Sequence, residues 1–300
     1  MQIVAHEDDD LLFMNPDLQN SITNGYNNIT VYVTAGEADG NGDCQIEYAR
    51  SERAHNRQRA IKAVYARMAG LAAPYDNDSL WTRDFYVPDP ETPWPHTVER
   101  YTLNSVPRIQ LLFMNLREEG EDDRPSNGPN LGVLFEDQTD TVSTITVVPS
   151  CDMFDTCTHT PSCPDVPAQN YTHSQLVTAL ADIVNNYQPN VVRTLDPIPF
   201  EKVGYNSSVC SNGSLYDVCW DNLDHRWVAQ FTDEVLASYH GPQATAHVQV
   251  EHYKGYSFVN YPHNLGDNDY TSKFNAGEAY RTTPPCRRGT SLTETRKRLS

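Results

Sequence analysis

Five short apolar runs punctuate an otherwise polar chain: residues 2–5 (QIVA), 29–34 (ITVYVT), 108–116 (RIQLLFMNL), 142–148 (VSTITVV) and 191–195 (VVRTL). The second is β-branched and stops at Gly36. Near-continuous apolar runs of this length are what strands buried on both faces look like. Between them the apolar period lengthens to that of a helix. Over residues 50–69, Arg57, Ile61, Val64, Tyr65 and Met68 share one face, and Gly70 supplies a stop. Over 174–187, Leu176, Leu180, Ile183, Val184 and Tyr187 form a second stripe. The sequence Thr172-His-Ser-Gln175 ahead of it fits a capping box, and Pro189 closes the segment. Over 224–239, Val228, Phe231 and Val235 give a third stripe.

Strands alternating with helices predict an α/β domain with a largely parallel sheet flanked by helices. The stretches 71–105, 117–140, 149–171 and 197–222 have no clear period and read as long loops around a site. The segment 240–285, with His247, His252 and His263, reads as a C-terminal β extension at a sheet edge. No domain boundary is visible, so residues 1–285 are expected to form one domain. Residues 286–300 carry five Lys/Arg (Arg287, Arg288, Arg296, Lys297, Arg298) against one Glu and read as a mobile basic tail.

Composition narrows the partners. No window of the 300 residues approaches ~18 unbroken apolar positions, which excludes a membrane-spanning helix. Lys and Arg number 22 against 40 Asp and Glu, a net charge of -18. A nucleic acid or an anionic membrane would have to approach that negative surface, so neither is expected. The seven cysteines (Cys44, Cys151, Cys157, Cys163, Cys210, Cys219 and Cys286) sit in polar, turn-rich surroundings. That placement predicts disulfide-stapled loops and an oxidising compartment, hence a mature secreted chain. Cys210 with Cys219, and two of Cys151, Cys157 and Cys163, are candidate pairs, and one cysteine is left over. A structural zinc held by Cys151, Cys157, His159 and Cys163 is the alternative, at looser spacing than such sites use. Five Asn-x-Ser/Thr sequons occur, at Asn28, Asn77, Asn170, Asn206 and Asn212.

The candidate chemistry begins at Ala5-His6-Glu7-Asp8-Asp9-Asp10, directly after the first apolar run. In a parallel sheet the carboxyl ends of the strands face the ligand crevice. A strand ending in His-x-Asp-Asp therefore delivers an imidazole and two carboxylates to that crevice. Such a set is part of a catalytic Zn²⁺ site, which needs three protein ligands and an open position. The alternative is an acidic first turn of a helix, stabilised by the helix dipole.

This segment resembles the Ala-His-Pro-Asp-Asp-Glu signature of the PIG-L/LmbE-like zinc-dependent N-acetylglucosamine deacetylases. Further segments follow in the family's order. Thr34-Ala-Gly-Glu37-Ala-Asp-Gly40 resembles its second strand and exit, and Arg57 stands eleven residues before Met68 where the family carries a helix Arg. Leu116-Arg-Glu-Glu-Gly120 resembles its Leu-Pro-Asp-Gly turn, and Arg193-Thr-Leu-Asp-Pro197 its Thr-x-Asp-Pro strand end. Asn222-Leu-Asp-His225 is similar to its His-Pro-Asp-His, and Tyr253-Lys-Gly-Tyr256 with Asn264-Leu265 to the C-terminal pattern of secreted members.

The resemblance implies a Rossmann-like fold in which His6, Asp9 and His225 bind Zn²⁺ and Asp8 is the general base for the attacking water. It implies N-deacetylation of an N-acetylglucosamine-type sugar on a larger glycoconjugate, a teicoplanin-type glycopeptide among the candidates, releasing acetate and a free amine. Asp8 in its acid form is then the candidate proton donor to the leaving nitrogen. The chain also departs from the family. Glu7 replaces Pro, Asp10 replaces Glu, and Asn222 replaces the first His of His-Pro-Asp-His. An Asn donates a hydrogen bond to an oxyanion but does not shuttle a proton. Trp220 stands near a family Tyr, and His263 and His159 are candidates for the proton role. Arg57, on the apolar face of its helix, is either ion-paired or aimed at substrate. Glu119 and Asp196, at strand ends, are candidate substrate contacts. Two alternatives remain at this point: a zinc amidase acting on another acyl-amino sugar, and a non-catalytic carbohydrate-binding descendant.

Overall fold

A computed structural model describes residues 1–37, 46–72 (46–49 as backbone), 78–88, 96–118, 130–147, 168–197, 221–239, 241, 248–256, 258 and 262–283. All seven cysteines, Glu119, His159, Trp220 and the 286–300 tail lie outside these residues. The expectations of stapled loops, of a structural zinc and of a basic tail therefore fall outside them too.

The described chain is a mixed α/β structure whose central sheet is mostly parallel. In order come β1 (Gln2–Val4), α1 (Asp9–Phe13), α2 (Asp17–Thr23), β2 (Asn28–Thr34), α3 (Ile46–Met68), β3 (Trp81–Tyr86), β4 (Val98–Leu103), β5 (Ile109–Leu116) and α4 (Leu131–Glu136). Then follow β6 (Thr141–Ser143), β7 (Asn170–Thr172), α5 (His173–Tyr187), β8 (Val191–Leu195), α6 (Leu223–Leu236), β9 (Gln249–Tyr253) and α7 (Asp267–Arg281). The seven-stranded sheet has the order β3-β4-β5-β2-β1-β8-β9. From β5 to β9 every pairing is parallel, while β3 and β4 add an antiparallel hairpin at one edge.

The strand pleat divides the core in two. Ile3, Ile29, Val31, Val33, Leu112 and Met114 point to one face, where Leu180 and Ile183 of α5 and Val228 and Phe231 of α6 cover them. Val4, Tyr32, Leu111 and Phe113 point to the other, under Ile61, Val64 and Tyr65 of α3 and Leu11 and Leu18 of the first two helices. Burial on both faces is why these strands read as continuous apolar runs. The capping box of α5 is present, with the Thr172 side chain accepting from Gln175 N and Gln175 accepting from Thr172 N.

Several expectations need correction. The 142–148 run is not a strand of the main sheet: it supplies β6, three residues paired with β7 in a separate two-stranded sheet. Within β6 the exposed Thr141 and half-buried Ser143 flank the buried Val142, so this short strand buries one face only. The stretch 71–105 contains the β3–β4 hairpin, and 117–140 contains α4. The 240–285 segment does add an edge strand, β9, but also the helix α7, whose one buried residue is Ala276. Asn28 is buried within β2, so its sequon cannot carry a glycan on the folded chain, whereas Asn170 is exposed. Among the described residues no helix is long and apolar enough to cross a membrane.

Candidate metal centre

Strand β1 lies between β2 and β8, where the strand order reverses. Chain segments leaving β1 and β8 on opposite sides open a crevice at this point. Ala5 O accepts both Thr34 N (3.0 Å) and Thr34 Oγ1 (2.9 Å), which ties the exit of β1 to that of β2. The chain then turns tightly: His6 N donates to Asp9 Oδ2 at 2.7 Å. That bond orients Asp9 so that its Oδ1 lies 3.5 Å from His6 Nδ1.

The third member comes from α6. Asn222 is its N-cap, with Oδ1 accepting from Asp224 N at 2.7 Å. The first turn brings His225 Nε2 within 2.9 Å of Asp9 Oδ1 and 3.3 Å of His6 Nδ1, between residues 219 positions apart in sequence. One ligand atom from each of the three buried residues falls within 4.8 Å of the others.

The surroundings fix which nitrogen faces inward. Asp221 Oδ1 lies 2.7 Å from His225 Nδ1 and accepts its N–H, which turns Nε2 toward the cluster as the nitrogen a metal would take. Asp221 also accepts from Asn222 N at 2.9 Å and Tyr256 N at 3.3 Å. Gly255 permits this approach, since a Cβ there would stand 2.0 Å from Asp221 Oδ2. On the far side of His6, Nε2 meets Asp224 Oδ2 at 3.4 Å and Glu118 Oε2 at 3.6 Å. Two imidazole nitrogens and one carboxylate oxygen, each imidazole backed by a carboxylate, are a donor set suited to Zn²⁺.

Electrostatics agree with a cation at this point. Burial pulls the His225 pKa down, but Asp9 and Asp221 outweigh it and hold it at about 9. His6 is likewise raised, with burial opposed by Asp9, Asp224 and Glu118. Burial also opposes ionisation of Asp9, yet the two imidazoles drive its pKa below the usual carboxylate range. Glu37 and Glu118 are both pushed up by burial, and the Glu37 carboxylate accepts from Glu118 N at 3.2 Å.

Asp8 is set apart from the three. It occupies the N-cap position of α1 but makes no capping bond. Arg57 Nη2 holds its Oδ1 at 2.5 Å instead, while Arg57 Nε donates to Glu7 Oε2 at 3.0 Å. Of the two alternatives for Arg57, the structure shows the ion-paired one, with Glu7 and Asp8 as its partners. Asp10 faces the opposite way, accepting from the hydroxyls of Tyr32 and Tyr65, and burial raises its pKa to about 7. It anchors the start of α1 to β2 and α3.

The remaining candidates are placed differently. Asp196, at the end of β8, is ion-paired with Lys254. His263 is exposed ahead of α7, and no described contact joins it to the three buried residues. Asn222 caps α6. Glu118, Asp224 and Tyr256 stand inside the motifs of the resemblance without a role of their own, and Asp221 and Phe13 were not read from the sequence. Asp221 and Asp224 precede His225 by four and one positions, a carboxylate-rich approach to a histidine that is itself a usable signal. Tyr256 stacks on the His225 ring at 5.6 Å, and Phe13 meets it edge-on at 5.5 Å. Tyr256 belongs to the Tyr253-Lys-Gly-Tyr256 motif, whereas Phe13 had no sequence signal beyond being aromatic.

The model of the family described as PIG-L, GlcNAc-PI de-N-acetylase, matches residues 1–202. No curated protein matches the chain. Among solved structures, the chain is similar to an N,N'-diacetylchitobiose deacetylase from Pyrococcus horikoshii complexed with its inhibitor MPG, at 13% identity and TM-score 0.42, covering 99% of this chain and 75% of that one. It is also similar to the conserved protein TT1542 from Thermus thermophilus, at 12% identity and TM-score 0.39, over 94% and 78% of the two chains. A third is the zinc-inhibited form of teicoplanin deacetylase Orf2, at 13% identity and TM-score 0.37, over 93% and 84%.

Proposed function

Because the chain belongs to the PIG-L family of GlcNAc-PI de-N-acetylases, we propose that it hydrolyses the acetamide of an N-acetylglucosamine-type sugar, with His6, Asp9 and His225 as ligands of a divalent cation. The observation that carries this reading is the meeting of His225 with His6 and Asp9. Residue 225 lies outside the matched span, so its arrival there is independent of the family match.

A Zn²⁺ ion held by these three residues supplies Lewis acidity, acidifying a water and favouring negative charge on the acetamide oxygen. Asp8 takes a proton from the attacking water as its oxygen bonds to the acetamide carbon. Arg57 keeps the Asp8 carboxylate turned from its helix cap toward the crevice. Asn222, with its oxygen engaged as a cap, offers its amide N–H₂ to the developing oxyanion. As the C–N bond breaks, Asp8 returns the proton to the leaving nitrogen, and acetate and the free amine depart.

The substrate is a sugar attached to a larger body, with a teicoplanin-type glycopeptide as one candidate. The reading includes one domain over residues 1–285, and secretion, for which the seven cysteines in polar, turn-rich sequence speak; a count of free thiols in the denatured protein tests the latter. Incubating the zinc-loaded chain with N-acetylglucosamine conjugates should release one acetate per sugar, and Asp8→Ala should abolish it. If every such conjugate is left intact, the chain is not a sugar deacetylase. Sugar binding without turnover would point to a carbohydrate-binding descendant, and turnover only of longer acyl groups to a different amidase.

A further inference from the structure

The wall of the site beside His225 continues outward as a row of aromatic rings that the reaction does not use. Tyr256 lies nearly parallel to the His225 ring, inclined by 21°. Phe13 meets Tyr256 edge-on at 5.3 Å and Phe258 at 5.9 Å. The Lys273 ammonium sits 5.1 Å above the Phe258 ring. One turn back on α7 from Phe274 is Tyr270, and these two rings stack at 6.3 Å.

Phe13 is buried, but the other four rings are not. Tyr256 and Phe258 are each 42% exposed, Phe274 53% and Tyr270 55%. Large apolar side chains left in water forgo the stabilisation that burial brings. Tyr256 and Phe258 run out from the polar centre through Phe13, and Lys273 joins Phe258 to α7, the helix that carries the Tyr270–Phe274 pair; exposed rings so placed mark a surface that something covers.

The chemistry of the row narrows the occupant. Among the described residues, Val250 is the one large exposed hydrophobic that is not aromatic. A fatty acyl chain calls for an enclosed aliphatic groove, which these rings do not provide. Stacked nucleobases would bring phosphates toward a chain of net charge -18. Half-exposed rings interleaved with a tyrosine hydroxyl and an ammonium suit the C–H faces of pyranose rings, whose hydroxyl rims stay hydrated.

We propose that Tyr256, Phe258, Tyr270 and Phe274 form a shelf that stacks the sugar units attached to the acetamido sugar at the metal centre. The ligand is then an oligosaccharide rather than a single sugar. This rests on the sugar-deacetylase reading. The shelf belongs to the part of the chain beyond residue 202, outside the family match.

The test uses the full zinc-loaded chain and β-linked N-acetylglucosamine oligomers from the monosaccharide to the tetrasaccharide. Calorimetry reads binding, and mass spectrometry reads deacetylation. Affinity and kcat/KM should rise roughly 2- to 10-fold for each stacked unit. In Phe258→Ala/Phe274→Ala the tetrasaccharide-to-monosaccharide ratio should collapse toward unity. A purely structural role for these rings would lower both substrates together and leave that ratio intact. Length-dependent binding without deacetylation would support the shelf and overturn the reaction. Deacetylation with equal affinity for all lengths would overturn the shelf and keep the reaction. An N-acyl glucosamine with a long alkyl chain that binds more tightly than the tetrasaccharide, through Phe258, would also overturn it.

Discussion

Asp8 gives up a helix cap to pair with Arg57, and the cost of that choice is spread over its neighbours. Glu7 is fully buried, its pKa pushed up to about 8 by burial, and it holds the other edge of the same guanidinium. Gly36 makes room for both. It has φ of +58°, and a Cβ there would stand 2.4 Å from Glu7 Oε2 and 2.5 Å from Arg57 Nε. Gly36→Ala should therefore destabilise the chain by more than about 1 kcal/mol in urea unfolding and lower kcat, since both strain and collision act there. Glu7→Gln, which keeps an acceptor for Arg57, should retain most of kcat, whereas Glu7→Ala should lose it with zinc content unchanged. Equal kcat in the two variants would show that Glu7 does not position Arg57.

His225 carries a pH signature at the same scale. Its pKa in the metal-free chain rises from 6.5 to about 9, so the imidazolium with its carboxylates stabilises that form below pH 6.5. This stabilisation is lost as pH climbs through about 9. A metal must displace the same proton, so zinc affinity should strengthen over that window while the metal-free chain weakens. Zinc titrations in buffers of different ionisation enthalpy should show proton release that diminishes toward pH 9. Release of no protons at neutral pH would contradict the arrangement.

Elements differ in how plainly their residues announce them. β2 and β5 are near-continuous apolar runs because both faces are covered, and α5 has a regular stripe with a capping box. The β3–β4 hairpin was hidden because its edge position lets it carry cross-strand ion pairs, Arg100 Nε with Asp84 at 2.8 Å and Arg83 Nε with Glu99 at 2.8 Å. α7 was hidden because it is largely exposed, resting on α1 and α3. At the site, His6, Asp9 and His225 were legible through motifs, while Asp221 and Glu118 lie in motif-bearing stretches but meet the two imidazoles only through the fold. Leu180 faces the core from α5, fully buried, so Leu180→Ala should cost about 2–5 kcal/mol in chemical unfolding. Thr172→Ala, at the cap of the same helix, should cost only ~1 kcal/mol. A reversed ranking would mean that the cap, rather than the packed face, holds α5.

Across the whole molecule, the parallel order β5-β2-β1-β8-β9 decides where chemistry can occur. Its reversal between β1 and β8 lets α1 and α6 begin beside each other from distant parts of the sequence. The buried faces of α6 and β1 share one core, which holds the two imidazoles in register without any covalent link between them. The central claim is thus a single cation bound where these two helices start. Elemental analysis of the purified chain tests it most directly. About one zinc per chain should be found, retained in Asp8→Ala and lost in His225→Ala. A His225→Ala protein that keeps its full metal content, or a wild-type chain that binds none, would contradict the account.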